Sequence, residues 1–228
     1  MNVVNTTGYS HEFFHNLKDS NNMWGLSDLH QNELHILGSI ICRHDMEDSV
    51  GVSLVHRHHD LREEERFVWE LFDNVWCAEP KILAESNLSP INWGIGISEG
   101  KPCLYPLEFC IVNSKHNPEF LVSNNVLLNS GFIKDFTETA ISLNMQNLFG
   151  LSLLQTRSHF NQPNTTVLEQ SDLSRRLTKA WVIPKSNLKN NSGGVTLWNF
   201  TKNQEINAVR DCTSGNSRHC CDNAIDLH

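Results

Sequence analysis

A chain of 228 residues can bury roughly 70% of the surface its unfolded form exposes, so it needs neither a disulfide nor a metal merely to fold. Its 18 Lys and Arg stand against 26 Asp and Glu, a net charge of −8. The densest basic group, Arg175, Arg176 and Lys179, is too small a footprint for a nucleic acid or an anionic membrane, and neither is an expected partner.

No run approaches the roughly 18 apolar residues of a membrane span, and the first 15 residues do not read as a secretory leader. A cytoplasmic protein with reduced thiols is expected, and the seven widely spaced Cys do not read as a disulfide framework.

Residues 1–25 read as a polar N-terminal arm with a small apolar cluster at Phe13, Phe14 and Leu17. Leu29, Leu34, Ile36, Leu37, Ile40 and Ile41 recur at helical intervals and predict a helix over 27–43. Alternation predicts a strand over 50–58, with Val50, Val52, Leu54, His56 and His58 on one face. Trp69, Phe72 and Trp76 fall at helical spacing, so 63–76 reads as a second amphipathic helix.

Strands at 91–97 and 103–112, joined through Ser98-Glu99-Gly100-Lys101, form a hairpin. A helix follows over 131–146, then strands at 149–155, 165–170, 179–183 and 195–200, with a polar loop over 187–194. Residues 26–210 make the domain, and 211–228 read as a tail containing Cys and His. The expected fold is α+β, a single domain with a largely antiparallel central sheet and two main helices.

One internal echo stands out. Met46-x4-Gly51-Val-Ser53-Leu54 returns as Met145-x4-Gly150-Leu-Ser152-Leu153, 99 residues later, each copy ending a helix and entering a strand. An internal helix–strand duplication and chance stay level on so few identities.

The segment His56-Arg57-His58-His59-Asp60 is the most unusual chemistry in the chain. On a strand, residues two apart point the same way, so His56 and His58 can share one ion, with Asp60 as a further ligand or a base. Cys220 in the tail is the candidate third ligand, from a group that also holds Cys212, His219, Cys221 and His228. Surface histidines ahead of an acidic helix start are the competing account.

The spacing Gly51-x4-His56-x-His58-x4-Glu63 approaches the first cupin motif, but no second motif follows, and the two helices argue against a small β-barrel. His11-Glu12-Phe13-Phe14-His15 matches the metalloprotease string H-E-x-x-H, with no preceding domain to build a cleft. No P-loop, nucleophile elbow or dinucleotide-binding glycine pattern is present.

Gly51-Val-Ser-Leu54-Val-His56-Arg-His58-His-Asp60 and the downstream Pro106-Leu-Glu108-Phe109 resemble a group of mainly fungal proteins without an established activity, over residues 29–200. Their shared pattern is G-[VI]-x-L-[LV]-H-x-H-x-D with a later P-x-E-[FY] strand, and His59 stands here where that pattern often has an aromatic residue. The resemblance implies no activity. The expectation is a metal-dependent enzyme acting on a small molecule, in specialised metabolism, with zinc, iron or copper on His56, His58 and Cys220, and with Asp60 and Glu108 as catalytic groups. The alternative is a non-catalytic binding or accessory protein.

Overall fold

The computed structural model describes residues 8–23, 25–72, 75–112, 129–154, 164–187, 193–203 and 205–213. Its helices are α1 (His11–His15), α2 (Leu26–Leu29), α3 (Gln31–Arg43) and α4 (Ser130–Ser142). Its strands are β1 (Val50–Leu54), β2 (Arg66–Phe72), β3 (Val75–Lys81), β4 (Leu88–Ser98), β5 (Lys101–Ile111), β6 (Phe149–Leu153), β7 (Thr165–Asp172), β8 (Leu177–Pro184), β9 (Gly193–Phe200) and β10 (Ile206–Thr213).

The mixed α/β character is as the sequence implies, but the sheet is not an open layer. The ten strands close into a barrel in the order β1-β6-β4-β5-β2-β3-β8-β7-β10-β9. Closure leaves no unpaired edge to cover, which is how a sheet this large satisfies its backbone without a layer on each side. Neighbours are antiparallel except β2–β5 and β7–β10, which are parallel.

Adding five to each strand number of β1–β5 maps the order onto itself. β4–β5 becomes β9–β10, parallel β2–β5 becomes parallel β7–β10, and β1–β6 and β3–β8 map onto themselves. The echo at 46–54 and 145–153 is the local trace of this two-fold pattern. Asp45 and Asn144 both turn left-handed, with φ of 54° and 59°, to end α3 and α4. Met46 N–H then donates to Ile41 O at 3.0 Å and Met145 N–H to Ala140 O at 2.8 Å.

Helix α3 buries Leu34, Leu37, Ile40 and Ile41, and α4 buries Phe132, Ile133, Phe136 and Ala140. They pack on each other, α3 also against β1 and β9, and α4 against β4 and β5. Every residue of β1 and β6 is buried, so both faces of these two strands are covered. Helices and a barrel thus coexist, contrary to the argument against a small barrel. Among the described residues no helix is long and apolar enough to cross a membrane.

Three local expectations change. Residues 66–81 form the hairpin β2–β3, with Phe72 opposite Val75, and not a helix. Phe67, Val68, Trp69, Phe72, Val75 and Trp76 are strand formers by type, a signal that the helical spacing of the aromatics masked. Strand β1 stops at Leu54 rather than running on to His58. Arg57 instead pairs with the arm, its N–H donating to Lys18 O at 3.0 Å and its carbonyl accepting from Ser20 N–H at 3.1 Å. Finally, Asp211, Cys212 and Thr213, expected to begin the tail, instead end β10, which closes the barrel between β9 and β7.

The arm itself is docked. Phe14, Leu17 and Met23 are buried, and Phe13 stacks on Tyr105 with ring centroids 4.4 Å apart. The H-E-x-x-H string forms the single short turn α1, where His11 Nε2 bonds Leu61 O at 2.8 Å. The loop expected over 187–194 lies mostly outside the described residues.

Candidate metal centre

Just beyond β1, His56 and His58 are buried, and His58 reaches Ser171 on β7. Their Nε2 atoms lie 3.2 Å apart, with both residues buried. Glu169 on β7 and Cys212 on β10 are register partners in the parallel pair and stand side by side. One donor atom from each of His56, His58, Glu169 and Cys212 lies within 4.8 Å of the other three.

Tetrahedral bonds of 2.0–2.3 Å place ligand atoms roughly 3.3–3.8 Å apart. The His56–His58 separation of 3.2 Å and the His58 Nε2 to Glu169 Oε2 separation of 3.7 Å fall at that scale.

The neighbours of these groups decide their protonation. His56 Nδ1 lies 2.7 Å from Leu54 O. A carbonyl only accepts, so Nδ1 carries the proton and Nε2 offers a lone pair to the cluster. Burial, reinforced by the Arg210 charge, holds the His56 pKa below its ordinary value, so this imidazole is neutral. Burial raises the Cys212 thiol well above its ordinary range, with Glu169 adding to the shift. Burial outweighs the nearby Arg210 charge, and without a metal ion Cys212 is a protonated thiol.

Arg210, two residues before Cys212, is fully buried. Its Nη1 donates to Glu169 Oε1 at 2.7 Å and its Nε to Thr196 Oγ1 at 3.1 Å. Burial opposes its charge, and the carboxylates of Glu169 and Glu108 outweigh that cost.

The sequence-derived candidates separate. His56 and His58 converge. Glu108 is buried on β5, accepts the Trp69 indole N–H at 3.0 Å, and its charge is felt by Arg210, His56 and Cys212. Asp60 is exposed and pairs with Arg57 at 2.9 Å, away from the cluster. Glu63, which would complete the cupin-like spacing, is exposed as well. Cys220 lies outside the described residues, and Cys212 is the thiol the barrel supplies.

Glu169 and Arg210 were missed by sequence reasoning. Their one signal is a charged residue on the apolar phase of an alternating run, as in Val167-x-Glu169-x-Ser171 and Ala208-x-Arg210-x-Cys212. The five described cysteines, Cys42, Cys77, Cys103, Cys110 and Cys212, are free thiols.

The segment that carries the histidines is pinned at its far end. Arg176, in the β7–β8 turn, grips Glu65 with Nη1 to Oε1 at 3.0 Å and Nη2 to Oε2 at 2.7 Å, and also donates to Asp60 O. This fork pulls the Glu65 pKa down to about 2. A depressed carboxylate stabilises the fold above its unfolded pKa, and that contribution fades as pH falls through the folded value. Arg176 is partly exposed, so solvent trims the effect. Glu65→Gln is expected to cost about 1–2 kcal/mol at pH 7 in urea unfolding. Its gap from wild type should narrow below about pH 4.5 and nearly close near pH 2. A gap independent of pH would refute the assignment.

Comparison with protein-family models, with curated proteins and with solved structures gives no match for this chain.

Proposed function

We propose that this chain is a metal-dependent enzyme acting on a small molecule, with one divalent transition-metal ion bound inside the barrel by His56, His58 and Cys212. The observation that carries the reading is the convergence of two imidazole nitrogens, a thiol and a carboxylate in a buried space, with the His56 lone pair directed inward. Mixed nitrogen and sulfur donors favour zinc, or copper, over magnesium or calcium, which demand oxygen. Two carboxylates and a thiolate would balance the ion and the Arg210 guanidinium, leaving the buried group neutral.

Glu169 decides between catalysis and mere retention of the ion. If it binds the metal, four protein ligands close the sphere, as in structural zinc sites, and a non-catalytic metal-holding protein results. If it stays with Arg210, three ligands leave an open position beside a carboxylate able to take a proton from a metal-bound water. Arg210 Nη1 holds Glu169 Oε1 at 2.7 Å and leaves Oε2, 3.7 Å from His58 Nε2, on the cluster side, so the azide test below decides between the two arrangements.

The test is elemental analysis of protein purified without a His tag. About one zinc per chain is expected, lost in the double variant His56→Ala/His58→Ala and in Cys212→Ser. At a hundredfold excess of free zinc over Kd the wild-type fold should gain about 2.7 kcal/mol, and the variants none. Cys212 must lose its proton on loading, so zinc should be released as the solution is acidified, with the imidazoles contributing below about pH 6.5. Protein that takes up no metal under these conditions would end the proposal. Azide shifting the visible spectrum of the cobalt-loaded chain would mark an open position, and an unmoved spectrum a closed one.

A further inference from the structure

The second nitrogen of His58 leads away from the cluster along an unbroken chain of hydrogen bonds. His58 Nδ1 meets Ser171 Oγ at 2.9 Å, Ser171 Oγ meets Thr178 Oγ1 at 2.9 Å, and Thr178 Oγ1 meets His59 Nε2 at 3.1 Å. All four residues are buried. Ser171 and Thr178 are cross-strand partners on β7 and β8, and Ser171 shares the inward face of β7 with Glu169. Each hydroxyl has one proton to donate, and each neutral imidazole has one N–H and one lone pair. When both hydroxyls spend their single proton inside the chain, it runs in one of two directions.

Its inner end selects the direction. Without a metal, His56 Nε2 is a bare lone pair, because Nδ1 is committed to Leu54 O. The 3.2 Å contact between the two Nε2 atoms then requires the proton on His58 Nε2. His58 Nδ1 becomes an acceptor, Ser171 donates to it, Thr178 donates to Ser171, and His59 donates from Nε2. With a metal on His58 Nε2 the proton must sit on Nδ1. Ser171 now accepts from His58 and donates to Thr178, Thr178 donates to His59 Nε2, and the His59 proton moves to Nδ1.

We infer that occupation of the metal site reverses this chain, so that Ser171 and Thr178 are positioning residues for His58, and the His59 ring carries the state of the barrel interior as its tautomer. The inference rests on the metal reading above and adds to it the groups that orient the ligand. The balance is one proton for one: each bridging proton shifts inward across its own hydrogen bond, the His58 Nε2 proton displaced by the metal leaves to solvent, and His59 takes one from solvent on Nδ1. Groups that orient a metal-bound histidine typically change affinity 10–100-fold when removed.

The test uses the full-length chain at pH 8, above the ordinary imidazole pKa, with zinc as the probe. Long-range proton–nitrogen correlation spectra report which ring nitrogen of each histidine is protonated. In zinc-free protein His58 and His59 should each be protonated at Nε2. In zinc-loaded protein both should be protonated at Nδ1. A His59 tautomer that does not change on loading, or zinc-free His58 protonated at Nδ1, overturns the inference while leaving zinc binding intact.

Zinc affinity measured by chelator competition gives the second arm. Ser171→Ala should weaken binding 10–100-fold, Ser171→Thr should restore it to within about threefold, and Thr178→Val should weaken it less than Ser171→Ala. A folded Ser171→Ala chain with wild-type affinity, or a Ser171→Thr chain as weak as Ser171→Ala, removes the positioning role. Wild-type protein that binds no zinc overturns the metal reading and this inference together.

Discussion

Replacing Gly150 by Ala is expected to cost at least about 3 kcal/mol in urea unfolding, or to leave no folded protein. A Cβ at Gly150 would stand 2.1 Å from Trp93 O and 2.6 Å from Val55 Cγ1. The first of these is backbone in β4, which is paired along β5 and cannot swing aside as a side chain could. Gly51 is its counterpart across the two-fold pattern, where a Cβ would stand 2.3 Å from Trp198 O in β9. Gly51→Ala should therefore be similarly severe.

Gly100 serves as the contrast. It has φ of +74°, and a Cβ there would meet nothing within 4 Å, so Gly100→Ala strains only its own turn, at about 1 kcal/mol. If Gly150→Ala lost no more than Gly100→Ala, the close approach of β6 to β4 would be wrong, and with it the matched crossings that close the barrel.

The second large effect concerns Arg210. Arg210→Met keeps much of the side-chain volume and removes the charge, leaving the Glu169 and Glu108 carboxylates in the interior without their guanidinium. Breaking a buried pair in this way costs about 3–5 kcal/mol. Arg210→Met combined with Glu169→Gln should recover part of that loss, because one of the two carboxylates is gone. The metal reading adds a sharper expectation. A divalent ion beside Glu169 supplies positive charge to the same group, so the penalty of Arg210→Met should be smaller in zinc-loaded than in zinc-free protein. Equal penalties in the two states would separate Arg210 from the ion and place the bound metal elsewhere.

What could be read along the chain was local. The helical phases of Leu34, Leu37, Ile40 and Ile41 and of Phe132, Ile133, Phe136 and Ala140 mark α3 and α4, because a buried face must repeat every 3.6 residues. The β4–β5 hairpin is marked by alternation around Ser98-Glu99-Gly100-Lys101. The His-x-His segment, two residues apart and followed by carboxylates, drew attention through composition alone. Even the two-fold pattern left a trace at Met46–Leu54 and Met145–Leu153, since the same left-handed exit and close strand crossing demand the same small residues.

Tertiary structure decided the rest, because the deciding contacts join residues far apart. Barrel closure depends on β1 meeting β9 and on β3 meeting β8, pairings that no local pattern encodes. Residues 66–81 have aromatic spacing compatible with a helix, and cross-strand pairing selects the hairpin. At the candidate metal centre, residues 56 and 58 meet residue 169 on β7 and residue 212 on β10 only because the parallel β7–β10 pair sets the last two side by side. A buried Glu and Arg look like surface residues in sequence, and only mutual neutralisation inside a closed sheet makes their burial tolerable.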